Sequence, residues 1–121
     1  MRLCLAGLLA LLPLLCVPAS AGTTPEEEEI LDRLAEAIVF SAACGYDFDF
    51  GLAGLALEQA GMRDDLLADG SDGRLFFEEA QDLQWRRVER HEVPHEEMCR
   101  YVLDLYGPKG SVAPGIVSDG R

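Results

Sequence analysis

The chain has 121 residues, 22 of them acidic and 10 basic, giving a formal net charge of −12 at pH 7. That length is one domain, and so negative a chain has no non-specific attraction for nucleic acid or anionic lipid. The charge favours solubility, basic protein partners or divalent cations.

Met1-Arg2-Leu3 is a short basic start, Leu5 to Val17 is a leucine-rich apolar run, and Pro18-Ala19-Ser20-Ala21 ends it with small residues. This predicts a secretory signal peptide over residues 1–21, cleaved near Ala21, and a mature chain that is periplasmic or secreted. The apolar run is shorter than the roughly 20 residues a spanning helix requires, so no membrane span is expected in the mature chain. Leu14 and Leu15, rather than a small residue, precede Cys16, which argues against lipid attachment there. Removing 21 of the 121 residues leaves 100, and losing Arg2 takes the net charge from −12 to −13.

Cys4 and Cys16 leave with the leader, so Cys44 and Cys99 remain. An even pair in an exported chain predicts a disulfide. Closing so long a loop removes about 4 kcal/mol of unfolded-state freedom. That matters for a domain of this size, which buries a little over 60% of its unfolded surface.

Thr24-Pro25-Glu26-Glu27 predicts a helix start, with Thr24 as cap, Pro25 at the first position and Glu27 completing a capping box. The helix runs to about Ala43. Leu31, Leu34, Ala35, Ile38 and Ala42 mark its buried stripe, and Gly45 follows Cys44 as a stop. Tyr46 to Phe50 alternates apolar and acidic residues but has no evident partner strand. A second helix is therefore expected from Asp47 or Asp49 to Ala60, burying Leu52, Leu55, Ala56 and Gln59, with Gly61 as its stop. Arg63 to Ala68 reads as a short helix or turn, and Asp69 to Gly73 as a loop. A long helix follows from about Gly73 to Glu89, with Leu75, Phe76, Glu79, Ala80, Leu83 and Val88 inward and Trp85 alongside. Its outer face carries Glu78, Asp82, Arg86, Arg87 and Arg90. His91 to Pro94 breaks it. The last helix starts near Pro94 or His95 and ends at Gly107-Pro108, with Met98, Tyr101, Val102, Leu105 and Tyr106 on one side. The expected fold is all-α: four to five short helices over residues 22–107, stapled by Cys44–Cys99, and a flexible tail over 108–121.

Two motifs bear on metals. His91, His95 and Cys99 are spaced i, i+4, i+8, which on an unbroken helix would align two imidazoles and a thiolate. Pro94 interrupts that helix, and the disulfide removes Cys99 as a ligand. Asp72-Gly73-Arg74-Leu75 with Glu79 resembles the second half of a calcium loop, in which Asp72, Gly73, Leu75 and Glu79 take positions 5, 6, 8 and 12. Ala68 and Gly70 stand where two carboxylates belong, with Asp69 and Ser71 one place off. Neither motif is favoured as a metal site, and no cofactor is implied. Ser41, Ser71, Ser111 and Ser118 lie in no nucleophile elbow, and no phosphate-binding glycine loop occurs. An enzyme is not expected.

The layout resembles a family of small exported bacterial helical proteins of unknown function. The residues that carry the likeness are Cys44, Ala60-Gly61-Met62, Leu66-Leu67, the Phe76 to Arg90 helix and Met98-Cys99-Arg100, within residues 30–116. It is also similar in outline to acid-stress periplasmic chaperones and to small periplasmic immunity proteins. The first resemblance implies the fold and the disulfide alone. The other two imply action through a protein partner, by holdase-like binding or toxin neutralisation, and the acidity of the chain suits a basic one. The alternative is a divalent-cation module built on the Asp69–Glu79 loop.

Overall fold

A computed structural model describes residues 22–120. The expected leader, residues 1–21, lies outside the described residues. The elements are α1 (Pro25–Ala43), β1 (Asp47–Phe48), α2 (Phe50–Gln59), α3 (Asp72–Glu89), α4 (His95–Tyr106) and β2 (Val117–Ser118). The fold is a small all-α bundle with one short antiparallel strand pair.

Helix α1 is central, lying along α3 on one side and against α4 on another. Its capping box forms as the sequence predicts. The Glu27 N–H donates to Thr24 Oγ1 at 3.1 Å, and the Thr24 N–H donates to Glu27 Oε1 at 2.9 Å. Because neighbours cover it on more than one side, its buried surface is broader than one stripe. Leu31, Ala35, Ala37, Val39, Phe40 and Ser41 are all buried, while Ala42 faces out. The Ser41 hydroxyl donates to the Ala37 carbonyl, satisfying a polar group with no access to water.

Helices α2 and α3 keep part of their expected faces, with Ala56, Phe76, Ala80 and Val88 at least half-buried, and depart from the rest. In α2 the buried residue is Ala53, with Ala56 and Leu57 half-buried, while Leu52 and Leu55 face solvent. In α3 the buried residues are Gly73, Ala80 and Gln84, while Leu75 and Leu83 are about half exposed at 53% each. At the start of α3 a glycine faces inward against the preceding segment. A Cβ on Gly73 would overlap the Leu66 carbonyl oxygen, so only glycine fits there.

Two expectations are corrected at the C-terminus. The strand-like alternation at Tyr46–Phe50 does find a partner: Asp47 pairs with Ser118 and Phe48 with Val117. The tail expected to be flexible instead folds back. Ile116 and Val117 enter the core, and the Ile116 carbonyl accepts the Asp49 N–H at 2.7 Å. The physical reason is burial: two apolar side chains in a glycine- and proline-rich stretch suffice to seat it, and the strand pairing satisfies its backbone.

Helices α1, α2 and α3 end in the same way. In each, the residue after the C-cap is left-handed and donates to the carbonyl three back, and the next N–H donates five back: Gly45 and Tyr46, Gly61 and Met62, His91 and Glu92.

Candidate functional site

Cys44 and Cys99 are joined. Cys44 is the C-cap of α1 and Cys99 lies one turn into α4, with Cα atoms 5.8 Å apart. The bond clamps the first helix to the last. Around it Val39, Phe40, Met98, Val102, Tyr106 and Val117 form the apolar core.

Of the histidines, only His95 reaches this bond. As the first residue of α4 it places Nε2 3.6 Å from Cys99 Sγ. His91 does not join it. Its φ of 55° puts it in the left-handed turn that closes α3, outside both helices, so the i, i+4, i+8 alignment does not form. Cys44, from the other end of the chain, takes the third place: one ligand atom each from Cys44, His95 and Cys99 lie within 4.8 Å of one another. The sequence could not signal this grouping, because it depends on where α1 ends against α4.

Residues 68–79 do not adopt a calcium-loop path. Helix α3 begins at Asp72, capped by the Ser71 hydroxyl, which accepts the Arg74 N–H at 3.1 Å. Gly73 is helical, and its lack of a side chain serves contact with Leu66. Asp69 is fully exposed and lies 3.7 Å from Arg74, while Glu79 sits two turns along α3, facing solvent. Asp72 and Glu79 are therefore exposed residues of α3.

A second region has ligand-binding shape. An apolar groove of about 230 Å³ runs between α1, α2 and the returning tail, lined by Ile30, Leu34, Phe48, Leu57, Val112 and Ile116, with Arg33 on its wall. Helix α2 forms one wall of it, and around that helix Phe50 is 66%, Leu52 41% and Leu55 53% exposed. The Phe50 ring packs on Phe48 with centroids 4.8 Å apart, beside Asp47 and Asp49. Asp49 caps α2 by accepting the Leu52 N–H at 2.9 Å.

The segment following α2 buries Leu66 and is also tied to α1 by an ion pair. Arg63 Nε donates to Glu27 Oε2 at 3.0 Å. The Arg63 hydrogen bond, and then the Thr24 backbone N–H, hold the Glu27 carboxyl below the usual carboxylate range. Across α1, the Tyr101 hydroxyl donates to Glu36 at 2.7 Å. Burial first, and that hydrogen bond second, push the Tyr101 phenol up to about 12. Arg87 reaches the same Glu36 at 3.8 Å. Sequence reading missed the Glu27–Arg63 tie because both residues read as surface charges.

Among the described residues, no helix is long and apolar enough to cross a membrane. No protein-family model, curated protein or solved structure matches the chain.

Proposed function

We propose that this is an exported, non-enzymatic protein that binds a basic, partly apolar segment of another protein, using the exposed apolar residues of α2 and the groove it lines. The carrying observation is the exposure of Phe50, Leu52 and Leu55 on a helix that turns alanines inward. Large apolar side chains left exposed on a helix that lines a groove mark an interaction site. The charge around them selects the partner. Residues 46–72 hold seven acids (Asp47, Asp49, Glu58, Asp64, Asp65, Asp69, Asp72) against one base, Arg63. Carboxylates around an apolar centre steer a cationic segment in and fix its orientation.

The holdase-like form of this reading fits the Glu27–Arg63 tie. Protonating Glu27 weakens an ion pair that helps fix the α2–α3 connection, so acid loosens that wall of the groove and bares more apolar surface. The likeness in layout to acid-stress chaperones points the same way. The toxin-neutralising form uses the same surface at neutral pH against one folded basic partner.

The test is suppression of aggregation of a reduced, unfolded basic protein, measured by light scattering between pH 7 and pH 3. The wild-type chain is expected to suppress scattering increasingly as pH falls, and the Phe50→Ser/Leu55→Ser double variant to lose that effect while keeping its helical circular dichroism. Equal suppression by the double variant would remove α2 as the contact surface. Suppression that is absent at every pH would remove the holdase-like form.

A further inference from the structure

We propose that Cys44, Cys99 and His95 form a zinc-type transition-metal site once the disulfide is reduced, the closed bridge being what keeps the metal out. Two thiolates and an imidazole are a soft, zinc-selecting donor set. The geometry is nearly built. Zinc–sulfur and zinc–nitrogen bonds of about 2.3 and 2.05 Å at a tetrahedral angle place S and N about 3.5 Å apart. His95 Nε2 already stands 3.6 Å from Cys99 Sγ. All three ligand atoms lie within 4.8 Å of one another. With Cα atoms 5.8 Å apart, the freed sulfurs reach a tetrahedral edge of about 3.8 Å by side-chain rotation, without moving a helix.

The surroundings suit a cation. Cys44 caps the C-terminus of α1, the negative end of that helix dipole. His95 is exposed, which leaves an open path to the site, whereas both cysteines are partly buried. The framework does not depend on the bond alone, since Val39 and Phe40 of α1 pack with Met98 and Val102 of α4 in one core. Three protein ligands leave a fourth position for water.

The chemistry balances with a dithiol reductant. It transfers two electrons and two protons to the Cys44–Cys99 bond, gives two thiols, and itself becomes a disulfide. Binding one divalent ion then displaces the two thiol protons, and His95 contributes a nitrogen lone pair.

The experiment titrates cobalt(II), then zinc, into the folded chain reduced with a phosphine. Reduced protein is expected to develop tetrahedral cobalt and thiolate-to-cobalt absorption bands, which zinc abolishes by displacement. Oxidised protein should show neither. His95→Ala is expected to weaken cobalt binding by at least about tenfold, while His91→Ala leaves it unchanged. Reduced protein without the charge-transfer band overturns the proposal, as does a His95→Ala variant that binds as tightly as wild type. Circular dichroism covers the case in which reduction melts the chain. Zinc must then restore the helical signal, and failure to do so equally overturns the site.

Discussion

The α1–α4 side of the molecule and the α2 arm spend similar residues in opposite ways. On the first side, Val39, Phe40, Met98 and Val102 are at most 2% exposed, and a covalent bond joins the two helices. In the arm, Phe50, Leu52 and Leu55 face water and only Ala53 is buried. The difference teaches that leucine content does not decide what is core. The arm is capped at both ends, by Asp49 and Gly61, so it holds its helix without needing its leucines inside. One side holds the fold together, which leaves the other free to offer its large side chains elsewhere.

The largest effect should come from breaking the clamp. Replacing both cysteines, Cys44→Ser with Cys99→Ser, is expected to lower unfolding free energy by about 4 kcal/mol, read by urea titration. A loss below about 1 kcal/mol would mean that packing alone joins α1 to α4. Next in size is a matched pair of truncations. Met98→Ala removes a side chain that is 2% exposed and should cost about 2–5 kcal/mol. Leu55→Ala, at 53% exposure, should change stability by no more than about 0.5 kcal/mol. Comparable losses at the two positions would end the contrast between the two sides.

The tie between α1 and the α2–α3 connection sets the third test. Glu27 is 9% exposed, and its carboxyl titrates below its usual range, chiefly through Arg63. A depressed folded pKa stabilises the chain above the unfolded value of about 4.3, and that stabilisation disappears as pH falls through the folded value. Glu27→Gln should therefore cost about 1 kcal/mol at pH 7, and the gap to wild type should close below about pH 4. Asp32 works with the opposite sign, since burial and then Glu28 raise its pKa. It is present in both proteins and cancels from the difference. A gap independent of pH would place the effect in shape rather than charge.

Much of the frame was readable before folding was considered. The Thr24–Glu27 capping box, the Gly45 and Gly61 stops and the cysteine pair are local signals, each carried by a few neighbouring residues, and each appears where the sequence puts it. What escaped depends on three-dimensional neighbours. The faces of α2 and α3 were legible only in part. Ala80 is buried and Ala56 and Val88 pack on the core as expected, but Leu52, Leu55, Leu75 and Leu83 stay exposed. Hydrophobic periodicity assumes that the largest apolar residues go inward. At Gly73 the close approach of Leu66 selects a residue without a side chain. The Phe48–Val117 pairing joins segments far apart in the sequence and is too short to show as a pattern. The Cys44–His95–Cys99 group needs both the bridge and the break at Pro94 to be placed.

Apart from the near-neutral Leu55→Ala, His91 carries the smallest expected effect, and it separates the two histidines cleanly. It occupies the position that Gly45 and Gly61 fill at the ends of α1 and α2, with φ at 55° against 72° and 79°. A residue with a Cβ pays steric strain there that glycine avoids. Glycine also raises the freedom of the unfolded chain, which offsets part of the gain. His91→Gly is therefore expected to stabilise the protein by about 0.5–1 kcal/mol in thermal or urea unfolding. If His91 instead made a contact that mattered, the same change would destabilise the chain, and the turn closing α3 would owe its shape to the imidazole rather than to the two backbone hydrogen bonds from His91 and Glu92. Cobalt binding by the reduced variant should match wild type, because that site draws its nitrogen from His95.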